Sequence, residues 1–163
     1  MLKVKVKKFN PNAVIPKYAK NGDAGLDLTA VSKEYDKDGN VVYDIGLGFE
    51  IPPGHVGLLF PRSSNAKKDL ILSNSVGVID SGYRGTVMMK YKPSSVFAKI
   101  FDKFISIITN TNGENFKHIK EYEVGERVGQ IIILPYPEVQ LVESDELSET
   151  ERGTGGYGST GTK

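Results

Sequence analysis

The chain of 163 residues contains no cysteine and only two histidines, His55 and His118. The lack of cysteine excludes disulfides and thiolate metal sites, and it is compatible with a reducing compartment. The two histidines are far apart in the sequence, and His55 follows the turn sequence IPPG. These features argue against a zinc enzyme, whose ligands are usually cysteine and histidine at short spacings.

The chain also lacks a large net charge and a long apolar run. A formal net charge of +1 argues against a protein that coats nucleic acid through bulk electrostatics. No apolar run approaches the ~18 residues of a membrane span, and the N-terminus alternates lysine with valine and leucine, unlike a signal peptide. We therefore expect no nucleic-acid or membrane partner and a cytoplasmic location, in the host cytoplasm if the chain is viral.

The balanced total charge conceals two opposed blocks. Residues 1–20 contain six lysines and no acid, whereas residues 138–151 contain six acids and no base. Such blocks are either solvated faces or complementary surfaces at a subunit contact. The length and the 39% hydrophobic content are typical of one soluble globular domain.

Short apolar runs separated by Gly, Pro, Asn and Asp dominate the chain. Alternation and enrichment in valine, isoleucine and tyrosine are typical of strands. The predicted strands are LKVKVKKF, NVVYDI, HVGLLF, DLILS, VGVID, TVMMKYK, VGQIIILP and VQLV. Many short strands with regular turn signals predict an all-β sandwich or barrel.

One segment breaks this pattern. Within residues 95–109, Val96, Ile100, Phe104 and Ile108 recur at a spacing of four, which predicts an amphipathic helix. Strands are predicted on both sides, so the helix is expected as an insertion in a β domain. Its apolar face either packs on the domain's own flank or binds a partner.

A carboxylate follows an apolar run in LSNSVGVIDSGYRGTV, residues 72–87. The pattern predicts a β-hairpin with Asp80 at its rim. A carboxylate partly desolvated there can act as a general base, and the alternative is a turn aspartate that accepts from its own backbone. The Asn74 amide and the flat Tyr83 ring suit a planar heterocycle carrying a sugar.

Two other stretches suit a polyphosphate. In FPRSSNAKKD, Arg62 is followed by two hydroxyls, a combination that binds phosphate oxygens, although a polar loop has the same composition. In GDAGLDLTA, a carboxylate such as Asp27 beside a polyphosphate usually meets Mg²⁺ through water. The alternative for Asp27 is an ion pair with an arginine inside the fold. Gln130, at the start of an apolar strand, either reaches a ligand or satisfies backbone groups.

The chain ends in RGTGGYGSTGTK, in which five of twelve residues are glycine. Glycine loses much entropy on ordering, so this tail is expected to be flexible. Its formal G-x-G-x-x-G does not join a strand to a helix and is therefore not a dinucleotide fingerprint, but its backbone amides can wrap an anion.

Five stretches, in this order, resemble the motifs of the trimeric all-β dUTPase family: AGLDLTA, PRSS, GVIDSGYRG, GERVGQIIILP and RGTGGYGSTG. The resemblance covers residues 1–92 and 121–163. Tyr157 departs from it, because the family usually has phenylalanine there. The longer segment 93–120 is a second departure, and it is similar to inserts of some phage members that also bind regulatory proteins.

The resemblance implies a jelly-roll-like β domain over residues 1–150 and a flexible C-terminal lid over residues 151–163. It also implies a homotrimer with shared active sites that hydrolyses dUTP to dUMP and pyrophosphate with Mg²⁺. That activity limits uracil incorporation into DNA and supplies dUMP for dTMP synthesis. The alternatives are a dCTP deaminase-related enzyme and a regulatory protein-binding module on the same fold, with the predicted helix as a possible contact for a regulatory protein.

The resemblance further implies a role for individual residues. Asp80 is expected to be the general base, and Asp27 is expected to meet Mg²⁺ through water. The residues expected at uracil and deoxyribose are Asn74, Gly77, Val78, Ile79, Tyr83, Met88 and Tyr157. The residues expected at the phosphates are Arg62, Ser63, Ser64, Gln130, Arg152, Gly158, Ser159 and Thr160.

Overall fold

A computed structural model of the chain describes residues 1–94, 108 and 120–156. These residues form ten β-strands and one 3-10 turn, Ser63–Lys67. The strands are β1 (Lys5–Lys8), β2 (Leu26–Thr29), β3 (Ser32–Tyr35), β4 (Val41–Asp44), β5 (Leu47–Glu50), β6 (His55–Phe60), β7 (Leu70–Leu72), β8 (Gly77–Ile79), β9 (Met88–Pro93) and β10 (Arg127–Pro135). The predicted all-β class is confirmed, whereas the predicted helix over 95–109, apart from Ile108, lies outside the described residues.

The strands form three antiparallel sheets. One pairs β1 with β5, the second has the order β2–β10–β6–β8, and the third has the order β3–β4–β9–β7. β10 is the longest strand and bonds β2 on one side and β6 on the other. Among the described elements, it is the strand that joins the distant segments with polar motifs.

The core begins with alternation along β4 and β9. Val41 and Tyr43 on β4 are buried, as are their register partners Tyr91 and Met89 on β9. The rings of Tyr43, Tyr91 and Tyr122 form a cluster with centroids 5.9–6.0 Å apart. Each buried hydroxyl has a hydrogen-bond partner, which removes the cost of burying it.

Seven of the eight predicted strands are confirmed, and the prediction of a strand over VQLV is wrong. Residues 139–142 form no strand, and Val139 and Leu141 are 71% and 92% exposed. A strand needs a neighbour to satisfy its backbone groups, and no described segment of this chain lies beside it. The sequence did not predict β2, β3 and β5 because these strands are short, polar or interrupted by glycine.

The β-hairpin predicted around Asp80 is also wrong. β8 pairs with β6, whereas β9 pairs with β4 and β7 in another sheet. The chain changes sheet because the backbone of Val87 bonds to two residues near β5. The Val87 amide donates to the Leu47 carbonyl at 2.8 Å, and the Val87 carbonyl accepts from the Ile45 amide at 3.0 Å. The segment after Asp80 is therefore a corner between sheets.

No helix in the described part of the chain has the length and apolar character needed to cross a membrane.

Candidate active site

Three predicted phosphate and metal segments meet on one sheet. In the registers of β10, Gln130 lies opposite Asp27 of β2 on one side and opposite Phe60 of β6 on the other. The chain leaving β6 then turns through Pro61 to Arg62. Segments that are up to a hundred residues apart are thus brought together because β10 is the shared neighbour of β2 and β6.

Asp27 is held between two arginines. Its Oδ1 accepts from Arg62 Nε at 2.7 Å, and its Oδ2 accepts from Arg127 Nη1 at 3.0 Å. The ion pair that was the alternative role for Asp27 is therefore observed, and the predicted role toward Mg²⁺ stays a prediction. Arg127 was missed by sequence reasoning because its partner lies 100 residues away. Its position inside GERVGQ, a stretch already singled out, was the available signal.

The hydroxyls that follow Arg62 are presented by a short turn. The Arg62 carbonyl accepts from the Asn65 amide at 2.9 Å, which closes the 3-10 turn Ser63–Lys67. Ser64 is half-buried and accepts from Arg62 Nη1 at 3.2 Å, whereas Ser63 is exposed. Gln130 Nε2 donates to the Pro61 carbonyl at 3.1 Å, so this amide braces the entry to the turn.

These groups line a cavity of about 670 Å³. Its charged lining comprises four basic and two acidic side chains, namely Lys17, Lys20, Arg62, Arg127, Asp23 and Asp27. An excess of positive charge in a concave site favours a polyanion. The donors include two guanidiniums, which bind phosphate oxygens in a planar, bidentate manner.

Asp80 lies elsewhere, directly after β8. Its side chain is exposed, so the predicted partial desolvation by the apolar strand is not observed in the single chain. Among the described residues, its carboxylate accepts no hydrogen bond and forms no ion pair, and only its backbone carbonyl is engaged, with the Tyr83 amide at 3.0 Å. The alternative, a turn aspartate bonded to its own backbone through the carboxylate, is therefore not observed.

Of the residues predicted to contact uracil and deoxyribose, all but Tyr157 lie within eight positions of Asp80 along the chain. Val78, Tyr83 and Met88 are 59%, 43% and 51% exposed, and Asn74 is exposed as well. The Tyr83 hydroxyl donates to the Thr86 carbonyl at 2.9 Å, which fixes the ring. A Cβ at Gly85 would lie 2.6 Å from Tyr83 Cζ, so only glycine allows this ring position.

The two groups lie at opposite ends of β6. Ile79, next to Asp80, pairs with Gly57 near the start of β6, while Arg62 follows the end of that strand. With a rise of about 3.3 Å per residue, Asp80 and Arg62 are on the order of 20 Å apart along the strand. The fold of one chain therefore does not bring the predicted base to the predicted phosphate site.

The described part of the C-terminal tail is a local turn. Arg152 is exposed, and its Nε donates to the Gly155 carbonyl at 3.0 Å. It contacts neither of the two groups. The other tail residues predicted to bind substrate, Tyr157, Gly158, Ser159 and Thr160, lie outside the described residues.

No cluster of three or more His, Cys, Asp or Glu side chains suitable for a metal occurs within residues 1–94, 108 and 120–156. Hard cations such as Mg²⁺ take oxygen ligands and retain much of their water, so substrate phosphates can supply ligands that the protein lacks.

Comparison with known proteins identifies the family of the chain. The dUTPase family model matches residues 11–104. The deoxyuridine 5′-triphosphate nucleotidohydrolases of Clostridium acetobutylicum and Alkaliphilus metalliredigens are each 36% identical to it, over 100% of this chain and 99% and 100% of theirs. The dUTPase of Staphylococcus bacteriophage 80alpha with dUPNHPP superposes with a TM-score of 0.73 at 25% identity, covering 99% of both chains. The family match and the full-length relatives together show that this chain belongs to the dUTPase family.

Proposed function

We propose that this chain hydrolyses dUTP to dUMP and pyrophosphate, with Asp80 as the general base for the attacking water. The observation that carries the proposal is the exposed Asp80 carboxylate, which no described residue engages, beside a surface suited to a base and a sugar. An acceptor with free lone pairs can take a proton from water, and such assistance typically contributes ~10²–10⁴-fold. Family membership supports the choice of substrate.

Arg62, Ser63, Ser64, Gln130 and Arg127 are proposed to hold the triphosphate. Asp27 positions the two guanidiniums, because each of its oxygens accepts from one of them. Fixed cations beside the phosphates reduce the repulsion that an anionic nucleophile meets.

The donor set fits a magnesium ion held mainly by phosphate oxygens and water, since both Asp27 oxygens already accept from arginines. Asp27 would then reach the ion through water. When bound, Mg²⁺ neutralises charge on the phosphates. The protein's own part is to bind the phosphates and orient them toward Asp80.

Uracil recognition is assigned to the surface around β8. Asn74 offers one acceptor and two donors, and the backbone of Val78, Ile79 and Met88 offers more. Uracil and cytosine have nearly the same shape, so discrimination requires donors and acceptors that the wrong base would leave unpaired. Tyr83 is proposed to pack under the deoxyribose, and Gly77 lies on β8 beside Val78 and Ile79.

The active site is proposed to be shared between the subunits of a homotrimer with the jelly-roll arrangement of the family. The separation of about 20 Å between Asp80 and Arg62, given by the rise per strand residue, supports a site in which a second chain supplies one of the two. Subunit contact would also bury Val139, Leu141 and Val142, which are 71%, 92% and 78% exposed, and would pair the acidic block 138–151 with the basic block 1–20.

The tail from residue 151 onward is proposed to act as a lid. Arg152 would neutralise phosphate charge, Tyr157 would stack on uracil, and Gly158, Ser159 and Thr160 would donate to phosphate oxygens. Closure over bound substrate excludes water and requires ordering of the glycines only when substrate is present.

The test of the mechanism is Asp80→Asn, which keeps the shape and removes the proton acceptor. We expect dUTP binding and oligomeric state to be retained while the turnover number falls by ~10²–10⁴-fold. Asp38→Asn, in the exposed β3–β4 turn, is the matched control and should behave like the wild type. Near-normal turnover of Asp80→Asn would rule out the base assignment.

The same assays separate the alternatives. Release of ammonia from dCTP would identify a deaminase-related enzyme instead. A regulatory partner that contacts the segment 93–120 remains a hypothesis, and a pull-down in which deletion of residues 94–117 changes no bound protein would eliminate it.

A further inference from the structure

Tyr122 is clamped at its backbone by another tyrosine. The Tyr43 hydroxyl accepts from the Tyr122 amide at 3.1 Å and donates to the Tyr122 carbonyl at 3.0 Å. The Tyr122 ring is buried and packs edge-on against Tyr43, with centroids 6.0 Å apart. Because both the backbone and the ring of Tyr122 are fixed, its hydroxyl points in one direction.

That direction leads to the phosphate-binding turn. The Tyr122 hydroxyl donates to Asn65 Oδ1 at 3.1 Å. Asn65 in turn joins the two ends of the turn region, because its amide donates to the Arg62 carbonyl and its side chain donates to the Leu70 carbonyl at 2.8 Å. Burial raises the pKa of Tyr122, whereas a hydrogen bond with Ser64 and the nearby Arg62 charge oppose that rise. Through Asn65, the hydroxyl is thus linked to the turn that begins after Arg62.

The far end of the turn is fastened to the same segment. Lys68 Nζ lies 4.6 Å from the centre of the Tyr122 ring and donates to the Glu121 carbonyl at 2.7 Å. The Asp69 amide donates to the Lys120 carbonyl at 3.0 Å, and the Lys120 amide donates to the Asp69 carboxylate at 2.8 Å. The turn is therefore joined to residues 120–122 at Asn65 and, directly after its end, at Lys68 and Asp69.

We propose that Tyr122 is a positioning residue for phosphate binding, acting through Asn65 on the turn that carries Arg62, Ser63 and Ser64. The proposal rests on the proposed function of that turn. Tyr122 does not line the phosphate cavity, so its effect is indirect. A turn that is already ordered loses less freedom when it binds phosphate, which favours affinity.

The test is Tyr122→Phe, which keeps the ring and removes the donor. We expect KM for dUTP to rise about five-fold with kcat nearly unchanged, as for the loss of one neutral hydrogen bond that acts on ground-state binding. Tyr91→Phe is the matched control, because its hydroxyl donates to the Val128 carbonyl of a strand held on both sides. It should lower Tm to a similar extent and leave KM unchanged.

A double-mutant cycle separates positioning from general destabilisation. If Tyr122 acts through Asn65, Tyr122→Phe should add little to the KM effect of Asn65→Ala. Wild-type kinetics for Tyr122→Phe, a KM increase as large in Tyr91→Phe, or full additivity with Asn65→Ala would each overturn the proposal.

Titration of the same variants with inorganic pyrophosphate distinguishes this proposal from the proposed function. Weaker pyrophosphate binding by Tyr122→Phe supports the positioning role even if the wild-type protein fails to hydrolyse dUTP, an outcome that would overturn only the proposed function. Unchanged pyrophosphate affinity together with an unchanged KM would overturn the positioning role alone.

Discussion

Asp27 fixes two of the cationic side chains that line the proposed phosphate cavity. Its carboxylate joins Arg62 and Arg127, and the Asp27 side chain is 25% exposed. At this exposure the ion pairs contribute little to folding stability, because water screens them. Their consequence is geometric: they hold two guanidiniums in place beside the hydroxyls of the Ser63–Lys67 turn.

Gly25 provides a test at the scale of one residue. A Cβ on Gly25 would overlap Gln130 Oε1 and lie 3.1 Å from Gln130 Cδ. Gly25 does not have the left-handed φ that would itself require glycine. The flexible Gln130 side chain can move away, so Gly25→Ala should unfold at nearly the wild-type temperature.

The displaced amide loses its bond to the Pro61 carbonyl and its proposed contact with phosphate. We expect kcat/KM for dUTP to fall about tenfold, the order of a hydrogen bond to a charged group. Addition of Gly25→Ala to Gln130→Ala should cost nothing further. A large extra loss in that double variant would show that Gly25 acts by another route.

At the scale of elements, β10 positions candidate site residues, whereas the β3–β4 hairpin contributes to stability. β10 brings Gln130 between Asp27 and Phe60 and so assembles the proposed phosphate cavity. The hairpin lies in another sheet, and its turn is closed by Asp36, whose carboxylate accepts from the Asn40 side chain and backbone and from the Asp38 amide.

The hairpin predicts a pH dependence of stability. Hydrogen bonds from the Asn40 side chain and backbone, and then from Lys90, hold the pKa of Asp36 well below its usual range. A lowered folded-state pKa contributes stability above the unfolded-state pKa, and this contribution is lost as pH falls through the folded-state value.

Asp36→Asn should therefore lower Tm at neutral pH, and its difference from the wild type should shrink below about pH 4. Thermal unfolding over a series of pH values measures the effect. A difference that stays constant down to acid pH would mean that the charge of Asp36 is not its source.

At the scale of the whole molecule, the separation of Asp80 from Arg62 predicts complementation. Asp80→Asn and Arg62→Ala should each be nearly inactive alone. If the site is shared between chains, mixed oligomers from co-refolding should regain activity at about a quarter of their sites by random assembly. Absence of recovery, with mixed oligomers verified by mass, would place both residues in a site formed by one chain.

The same assay extends to the tail. A chain truncated after Glu151 should keep its fold, because the described tail residues bury little surface. It should lose most of its turnover, because the proposed lid is missing. Whether Asp80→Asn rescues the truncated chain in mixed oligomers reports which chain's tail closes each site. Unchanged turnover after truncation would leave the tail without a catalytic role.

Much of the fold and several of the candidate site residues were predictable from the sequence alone. Alternation and turn chemistry are local properties, so seven strands, the all-β class and the family motifs were predicted from the sequence. Asp80, Arg62 and Gln130 were singled out because carboxylate, guanidinium and amide chemistry belongs to the side chain itself. The flexibility that the glycine-rich composition of the tail indicates stays a prediction.

Pairing between distant segments required the tertiary structure. VQLV has the pattern of a strand but no neighbour among the described residues. The hairpin at Asp80 is replaced by a corner because Val87 bonds to Ile45 and Leu47. The contact of Arg127 with Asp27 depends on the pairing of β10 with β2, which the sequence does not reveal. Side-chain chemistry is encoded locally, whereas hydrogen-bond register is decided by which strands compete for the same edge. Tertiary structure therefore decided that the proposed base, Asp80, and the proposed phosphate cavity lie at opposite ends of β6.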